Sequence, residues 1–232
     1  MRSLFEIQTQ VLNIYLKNFP RFLRILALSL LWNIIINSVP VSIAMVTRFI
    51  IPVASVSLLI ALLTALGLTE GFAELMNGRD LLPAAVLGKA LRRFLPFLPV
   101  FFIWLLIITV GAFFFFIPGI VFAVWLIFLV PIFMREHSSP LAIFRRSKAL
   151  GDGHFFRILI DVVTVALVIF FVVIMAGQGL LNIVKLLPYF AIAARAYIIA
   201  GVFSAVILTI LTPLMTGTIV ALYYDLRKLK GI

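Results

Sequence analysis

An all-α, polytopic integral membrane protein with six transmembrane helices is the fold class this sequence predicts, and three observations carry it. The first is composition. Of 232 residues, 65% are hydrophobic and 12% charged, against roughly 45–50% apolar and roughly 25% charged in a typical soluble domain. Mean hydropathy is +1.28. A chain of this size in water needs a large polar surface, so the apolar excess is assigned to lipid. The second is spacing: charged residues leave uncharged gaps long enough for helices of about 20 residues. The third is the unequal division of Lys and Arg among the loops. With six spans using about 120 residues, no room remains for an extramembrane catalytic domain.

The gaps place the spans in order. Arg24 to Arg48 leaves 23 uncharged residues, Arg48 to Glu70 leaves 21, and Arg93 to Arg135 leaves 41. The last is enough for two helices joined by a tight turn at Ile117-Pro118-Gly119. Asp161 to Lys185 leaves 23, and Arg195 to Asp225 leaves 29. These predict helices near 22–44, 50–72, 97–116, 119–134, 158–177 and 197–223, the fourth short and bent near its end by Pro131. The stretch 180–195, with Asn182, Lys185, Pro188 and Arg195, reads as an interfacial helix or connector on the outer side. Met1 to Pro20 carries Arg2, Glu6 and Lys17 and has no continuous apolar core, so no cleavable signal peptide is expected.

Each pair of spans follows a short basic segment with amphipathic spacing. In 4–19, Glu6, Gln10, Asn13 and Lys17 form a polar stripe and Leu4, Ile7, Val11 and Ile14 an apolar one. Residues 83–94 open with Pro83 and carry Lys89, Arg92 and Arg93; residues 139–150 have Ser139 as N-cap, Pro140 next and Gly151 just past the end. Lys-Ala-Leu recurs at 89–91 and 148–150. One membrane domain, 1–232, is therefore expected to contain three repeats of amphipathic surface helix plus helical hairpin, over 1–78, 79–137 and 138–232.

Sixteen of the 19 basic residues fall in the N-terminus, the second-to-third loop, the fourth-to-fifth loop and the C-terminal tail, against Arg48, Lys185 and Arg195 on the other side. The positive-inside rule then puts both termini in the cytoplasm of a cell membrane. All eight acids lie on or near that same side. This division among four segments, with no aromatic-basic module, sets nucleic-acid binding aside, and no Gly-rich phosphate loop is present. Cysteine is absent, which removes disulfides, thiolate metal sites and a cysteine nucleophile.

Candidate site residues follow from charge and depth. Lys89, Arg92, Arg93, Arg145, Arg146 and Lys148 are placed to meet anionic lipid headgroups, each worth on the order of 1 kcal/mol near such a surface. Glu70 and Glu74, four apart on one helix face, read either as a proton or cation site or as interfacial charges paired with Arg79 and neighbouring basic loops. Asn33 and Asn37, one turn apart within the first span, read as lining a polar cavity with Ser55, Ser57, Thr64, Gln178, Thr209, Thr212 and Thr216, or as hydrogen-bonding glue between helices. The expected cavity residues are Asn33, Asn37, Glu70 and Glu74. His137 and His154 lack the spacing of a zinc site, so no metal and no cofactor are expected. Arg157 and Asp161 are spaced as an i,i+4 ion pair. Tyr223, Asp225 and Arg227 are expected to fasten the last helix to the fourth-to-fifth loop, with Arg145 and Arg146 as the partners of Asp225.

Pro118-Gly119, Trp125, Pro131, Glu136, Ala142, Arg146-Ser147, Leu150, Gly153 and the closing Tyr223-Tyr224-Asp225-Leu226-Arg227 resemble a polytopic family similar to the membrane domain attached to some glycerophosphoryl diester phosphodiesterases. The resemblance implies a stand-alone helical membrane protein without an assigned activity. The phosphodiesterase chemistry of that group belongs to a separate soluble barrel, and neither a His-Arg-Gly start nor a Pro-Glu-Asn motif stands in this chain. No catalytic residue is carried over. The expected function is a non-enzymatic scaffold or accessory protein contacting anionic lipid from the cytoplasmic side, with membrane lipids and a membrane protein as partners. The alternatives are a transporter, channel or lipid-moving protein with a polar cavity between hairpins, and last a membrane-embedded hydrolase or transferase.

Overall fold

In the computed structural model, residues 3–39, 43–114, 116–136, 139–185 and 193–231 are described, and they form nine helices with short connections. These are α1 (Leu4–Lys17), α2 (Phe19–Ser38), α3 (Ile43–Met76), α4 (Pro83–Phe114), α5 (Phe116–Trp125), α6 (Leu129–Arg135), α7 (Pro140–Gly151), α8 (Phe155–Lys185) and α9 (Ala193–Lys230). Six stretches are long and apolar enough to cross a membrane: Phe19–Ser38, Phe49–Met76, Pro83–Phe113, Ile117–Arg135, Phe155–Val184 and Ala196–Lys230. The fold is all-α, with six candidate spans.

Helix α1 starts where Ser3 and Glu6 cap it reciprocally: the Glu6 amide donates to Ser3 Oγ at 3.2 Å and the Ser3 amide to Glu6 Oε2 at 2.8 Å. Its apolar stripe packs on protein. Ile7, Val11 and Tyr15 are buried against protein, and Thr218 of α9 donates to Gln8 at 3.2 Å. The Tyr15 hydroxyl donates to the Ile210 carbonyl at 2.7 Å, beside the kink that Pro213 allows in α9. Helix α1 therefore runs antiparallel along the second half of α9. This packing removes apolar area from water and also satisfies the tyrosine hydroxyl.

The segment 83–94 is not a separate surface helix. It is the first part of α4, which continues through Pro96 and Pro99 to Phe114. A proline removes one backbone bond and bends a helix, and a spanning helix keeps the remaining bonds because nothing in lipid replaces them. The fourth span shows the opposite outcome. It is broken at 126–128, between α5 and α6, just before Pro131. There the Leu129 amide bonds back to Leu126, three residues away, at 3.2 Å. The Trp125 carbonyl is left without its helical donor and accepts from Ser147 Oγ of α7 at 2.7 Å.

The expected turn at Ile117-Pro118-Gly119 lies inside the first turn of α5. Glycine is needed at 119 for packing: a Cβ there would come 2.9 Å from the Ala112 backbone of α4. The stretch 180–185 continues α8, and 186–192 lie outside the described residues. Gly151 is the last residue of α7, with Asp152 capping it and Gly153 taking the left-handed turn at φ +80°.

The main core gathers toward the end of the bundle where α3, α6 and α9 finish and α4, α7 and α8 begin. Phe22, Leu66, Phe72, Phe128, Ile132, Ile143, Tyr223 and Leu226 are all buried there. A small second cluster, Leu181, Val184, Ala196 and Ala200, joins α8 to α9 at the opposite end. Between them the helices present Leu31, Phe102, Phe171 and Met175 outward. Exposed apolar side chains along candidate spans are what a lipid-facing surface requires.

Candidate functional site: the charged end of the bundle

Acidic and basic side chains meet in three linked groups at this end. In the first, Lys89 Nζ of α4 lies 2.9 Å from both Glu70 Oε1 and Glu74 Oε1 of α3. Arg135, closing α6, lies 3.7 and 3.5 Å from the same two oxygens, and Arg79 is 3.4 Å from Glu74 Oε2. Arg93 donates to the carbonyls of Phe133 and Met134 at 2.6 and 2.8 Å, where α6 runs out of helical donors. Glu70 and Glu74 are almost wholly buried, so their two charges depend on the three cations Lys89, Arg135 and Arg79 beside them. A small cleft of about 290 Å³ lies here, lined by Glu70, Lys89, Arg92, Arg93, Met134 and Arg135. Glu70 Oε2 and two guanidinium nitrogens of Arg135 have no protein partner. Donors and an acceptor left together are a place for ordered water.

The second group centres on Glu136. Arg146 Nε of α7 lies 3.1 Å from Glu136 Oε2, and the Tyr223 hydroxyl of α9 donates to Glu136 Oε1 at 2.9 Å. Arg227, one turn on, donates to that hydroxyl at 3.4 Å. The third links α8 to α9: Arg157 lies 3.7 Å from Asp161 and 3.5 Å from Asp225. This corrects the expected partner of Asp225. Arg146 is held by Glu136, and Arg145 points outward, so the only guanidinium paired with Asp225 among the described residues is that of Arg157.

The closing residues of α9 thus reach three different elements. Tyr223 bonds Glu136 after α6, the Tyr224 hydroxyl accepts from Asn77 after α3 at 2.8 Å, and Asp225 faces Arg157 on α8. Lys230 donates to the Asp152 carbonyl at 2.8 Å and to the Ala149 carbonyl, closing the end of α7. The roles of Arg135, Glu136 and Asn77 were not visible in the sequence. Each stands at or just after a helix end and bonds a side chain 61 or more residues away, Arg135 to Glu74, Glu136 to Tyr223 and Asn77 to Tyr224.

The six residues expected at headgroups divide in two. Lys89, Arg93 and Arg146 are committed to internal partners. Arg92 and Arg145 are exposed, with no hydrogen bond or ion pair among the described residues, and Lys148 is exposed with its ammonium 4.6 Å over the Trp125 ring.

The four residues of the expected polar cavity lie in two places. Asn33 donates to the Ser29 carbonyl at 2.9 Å and to Thr209 of α9 at 3.2 Å, and Asn37 donates to the Asn33 carbonyl at 2.8 Å. Ser29 bonds Thr64, and the Trp32 indole donates to Ser57 of α3 at 2.9 Å. These form a polar seam joining α2 to α3 and α9, of the kind that holds membrane helices together. Glu70 lies six residues beyond Thr64, about 9 Å along α3, within the charged end. Ser55 and Gln178 are exposed. His154 lies 3.3 Å from the Asp152 carbonyl, and His137 falls outside the described residues. No group of three or more metal-ligating side chains is found among the described residues. Comparison with protein-family models, curated proteins and solved structures gives no match.

Proposed function

We propose that this chain is a non-enzymatic scaffold or accessory protein of the cell membrane, with both termini in the cytoplasm, whose charged end rests on anionic lipid headgroups. One observation supports this most. Glu70, Glu74, Glu136, Asp161 and Asp225 are all spent on internal ion pairs, while Arg92, Arg145 and Lys148 stay outward on the same end. The internal pairs build a rigid end, and the unspent cations give it a positive outer face. The resemblance to the membrane domain of glycerophosphoryl diester phosphodiesterases enters this proposal for its architecture alone.

The test is lipid retention. Full-length protein extracted in mild detergent should keep anionic lipid, and the combined Arg92→Gln, Arg145→Gln and Lys148→Gln variant should keep severalfold less at unchanged thermal stability. Equal retention by the two would remove the proposal.

A transporter or lipid-moving protein is the second reading, and the break at 126–128 favours it, since interrupted helices mark transport sites. Here, however, the freed Trp125 carbonyl is taken by Ser147, and the α2 amides are bonded to neighbours. If a cysteine at 33 in this cysteine-free chain reacted with a water-soluble maleimide, an open cavity would replace the scaffold reading.

A further inference from the structure

We infer that the elbow between α1 and α2 is a binding cleft for an anionic phospholipid, its phosphate held by Lys17, Arg21, Arg24 and Arg79 and one acyl chain laid along α2. The inference rests on the lipid-contact reading above, but its residues are distinct from the Arg92, Arg145 and Lys148 surface, so the two can fail separately.

The elbow is made by Asn18, which ends α1 and starts α2 at φ −111°, with Pro20 in the next turn. Asn18 fixes itself by donating to the Ile14 carbonyl at 3.0 Å and accepting from Arg21 at 3.3 Å. Opposite it, α3 ends and the chain turns through Gly78 at φ +71°, a conformation that favours glycine. That turn delivers Arg79 and Asp80 to the same place. Together they enclose a cleft of about 750 Å³ lined by Asn13, Lys17, Arg21, Arg24, Arg79 and Asp80 among others.

Four cations face this cleft with one carboxylate. Asp80 is 91% exposed and 3.8 Å from Arg21. Arg79 shares itself with Glu74 at 3.4 Å. Lys17 and Arg24 have no hydrogen bond or ion pair among the described residues. A concave surface lined by one sign of charge focuses positive potential, and guanidinium groups suit phosphate by geometry as well as charge. The cleft therefore fits a phosphate-bearing anion, whether on a lipid or free in solution.

A lipid is favoured by what lies beside the cleft. Arg24 is on α2, a candidate span. From Arg24, the positions one, two and three turns further on the same face are Leu28, Leu31 and Ile35, which are 49%, 60% and 56% exposed. Headgroup cations and an apolar, outward stripe of about 16 Å are thus continuous, which matches a headgroup with its tail and gives nothing extra to free phosphate. With four cations present, a headgroup bearing two phosphates finds more partners than one bearing a single phosphate. The expected order is cardiolipin, then phosphatidylglycerol, then phosphatidylcholine.

The experiment compares three full-length proteins in nanodiscs by native mass spectrometry: wild type, Lys17→Gln with Arg24→Gln, and the Arg92, Arg145 and Lys148 glutamine variant. Wild type should retain one tightly held cardiolipin. The elbow variant should lose at least fivefold of that retention, and the other variant should keep it. Millimolar inorganic phosphate or glycerol phosphate should not displace the lipid. Retention unaffected by the elbow variant, equal loss in both variants, or displacement by inorganic phosphate would each overturn the inference. Equal loss would leave the general surface reading standing. A measurement on wild type alone guards against misfolding of the variant: photoactivatable cardiolipin should crosslink within 17–35, and crosslinks confined to 92–148 would contradict the assignment.

Discussion

Arg157 on α8 holds two carboxylates at once, Asp161 on its own helix at 3.7 Å and Asp225 on α9 at 3.5 Å. Asp161 is buried, so this guanidinium is the counter-charge that lets two acids face each other between the last two spans. It also fixes the register of α9, whose Tyr223 and Tyr224 then reach Glu136 and Asn77. Single substitutions Arg157→Gln and Asp225→Asn should each lower thermal stability in detergent. The pair should couple by roughly 0.5–3 kcal/mol, whereas Arg146→Gln with Asp225→Asn should be close to additive. Coupling to Arg146 and none to Arg157 would reverse the assignment.

Ser147 has no exposed surface and spends its hydroxyl on the Trp125 carbonyl. Ser147→Ala should therefore cost about 1–3 kcal/mol, the penalty for a buried acceptor left unmade. Amide exchange at 126–129 should rise with it, because the broken turn loses its clamp. An unchanged exchange pattern would mean that the turn holds itself.

Gly217 sits where α1, α3 and α9 cross: a Cβ there would come within 2.6 Å of Val11 and 2.8 Å of Phe72. Gly217→Ala should lower stability by about 1–3 kcal/mol through overpacking. Part of the loss should return with Val11→Ala, which clears the nearer contact, and no return would locate the strain at Phe72.

Burial raises the Tyr15 phenol to about 12. In the unfolded chain it ionises near 10, so its contribution is full below that pH and fades as pH climbs from 10 to 12. Tyr15→Phe removes the hydrogen bond to Ile210, at about 0.5–1.5 kcal/mol. The variant should be less stable than wild type at pH 8, with the gap closing by pH 12. A gap that widens with pH would show that the bond is not what Tyr15 supplies.

The helices were legible in the sequence because charge and length decide them. Uncharged gaps between Arg24, Arg48, Glu70, Arg93 and Arg135 are a one-dimensional signal, and lipid leaves the backbone no alternative to helix. The starter segments were legible as amphipathic but not in what covers them. Ile7 and Val11 have the same spacing whether α9 or lipid lies above, and only the antiparallel course of α1 along α9 decides. Pro96, Pro99 and Pro131 look alike in the sequence, yet α4 runs on through the first two while the fourth span is broken before the third, where Ser147 of a distant helix takes the Trp125 carbonyl. Partner choice was least legible. Asp225 had five nearby basic candidates in the fourth-to-fifth loop, and the packing of α8 on α9 selects Arg157 from among them.

Site-directed labelling of this cysteine-free chain checks the topology on which the lipid reading stands. A cysteine at 145 should react with an impermeant maleimide only after the cytoplasmic face is opened, and one at 48 from the outside. The reversed pattern would turn the charged end away from the anionic leaflet.

The most direct test of the central claim is the thermal midpoint of the full-length protein in anionic and in zwitterionic nanodiscs, measured for wild type and for two glutamine variants. Wild type should be more stable in the anionic discs, and by less at high salt, because exposed charges are screened over about 8 Å at physiological ionic strength. Neutralising the outward set, Arg92, Arg145 and Lys148, should shrink that difference to the part that the elbow cations supply, while sparing the midpoint in zwitterionic discs. Neutralising the inward set, Lys89, Arg93 and Arg146, should lower the midpoint in both. An anionic preference left undiminished by loss of the outward set, or diminished only with the inward set, would contradict the division of cations into structural and lipid-facing groups.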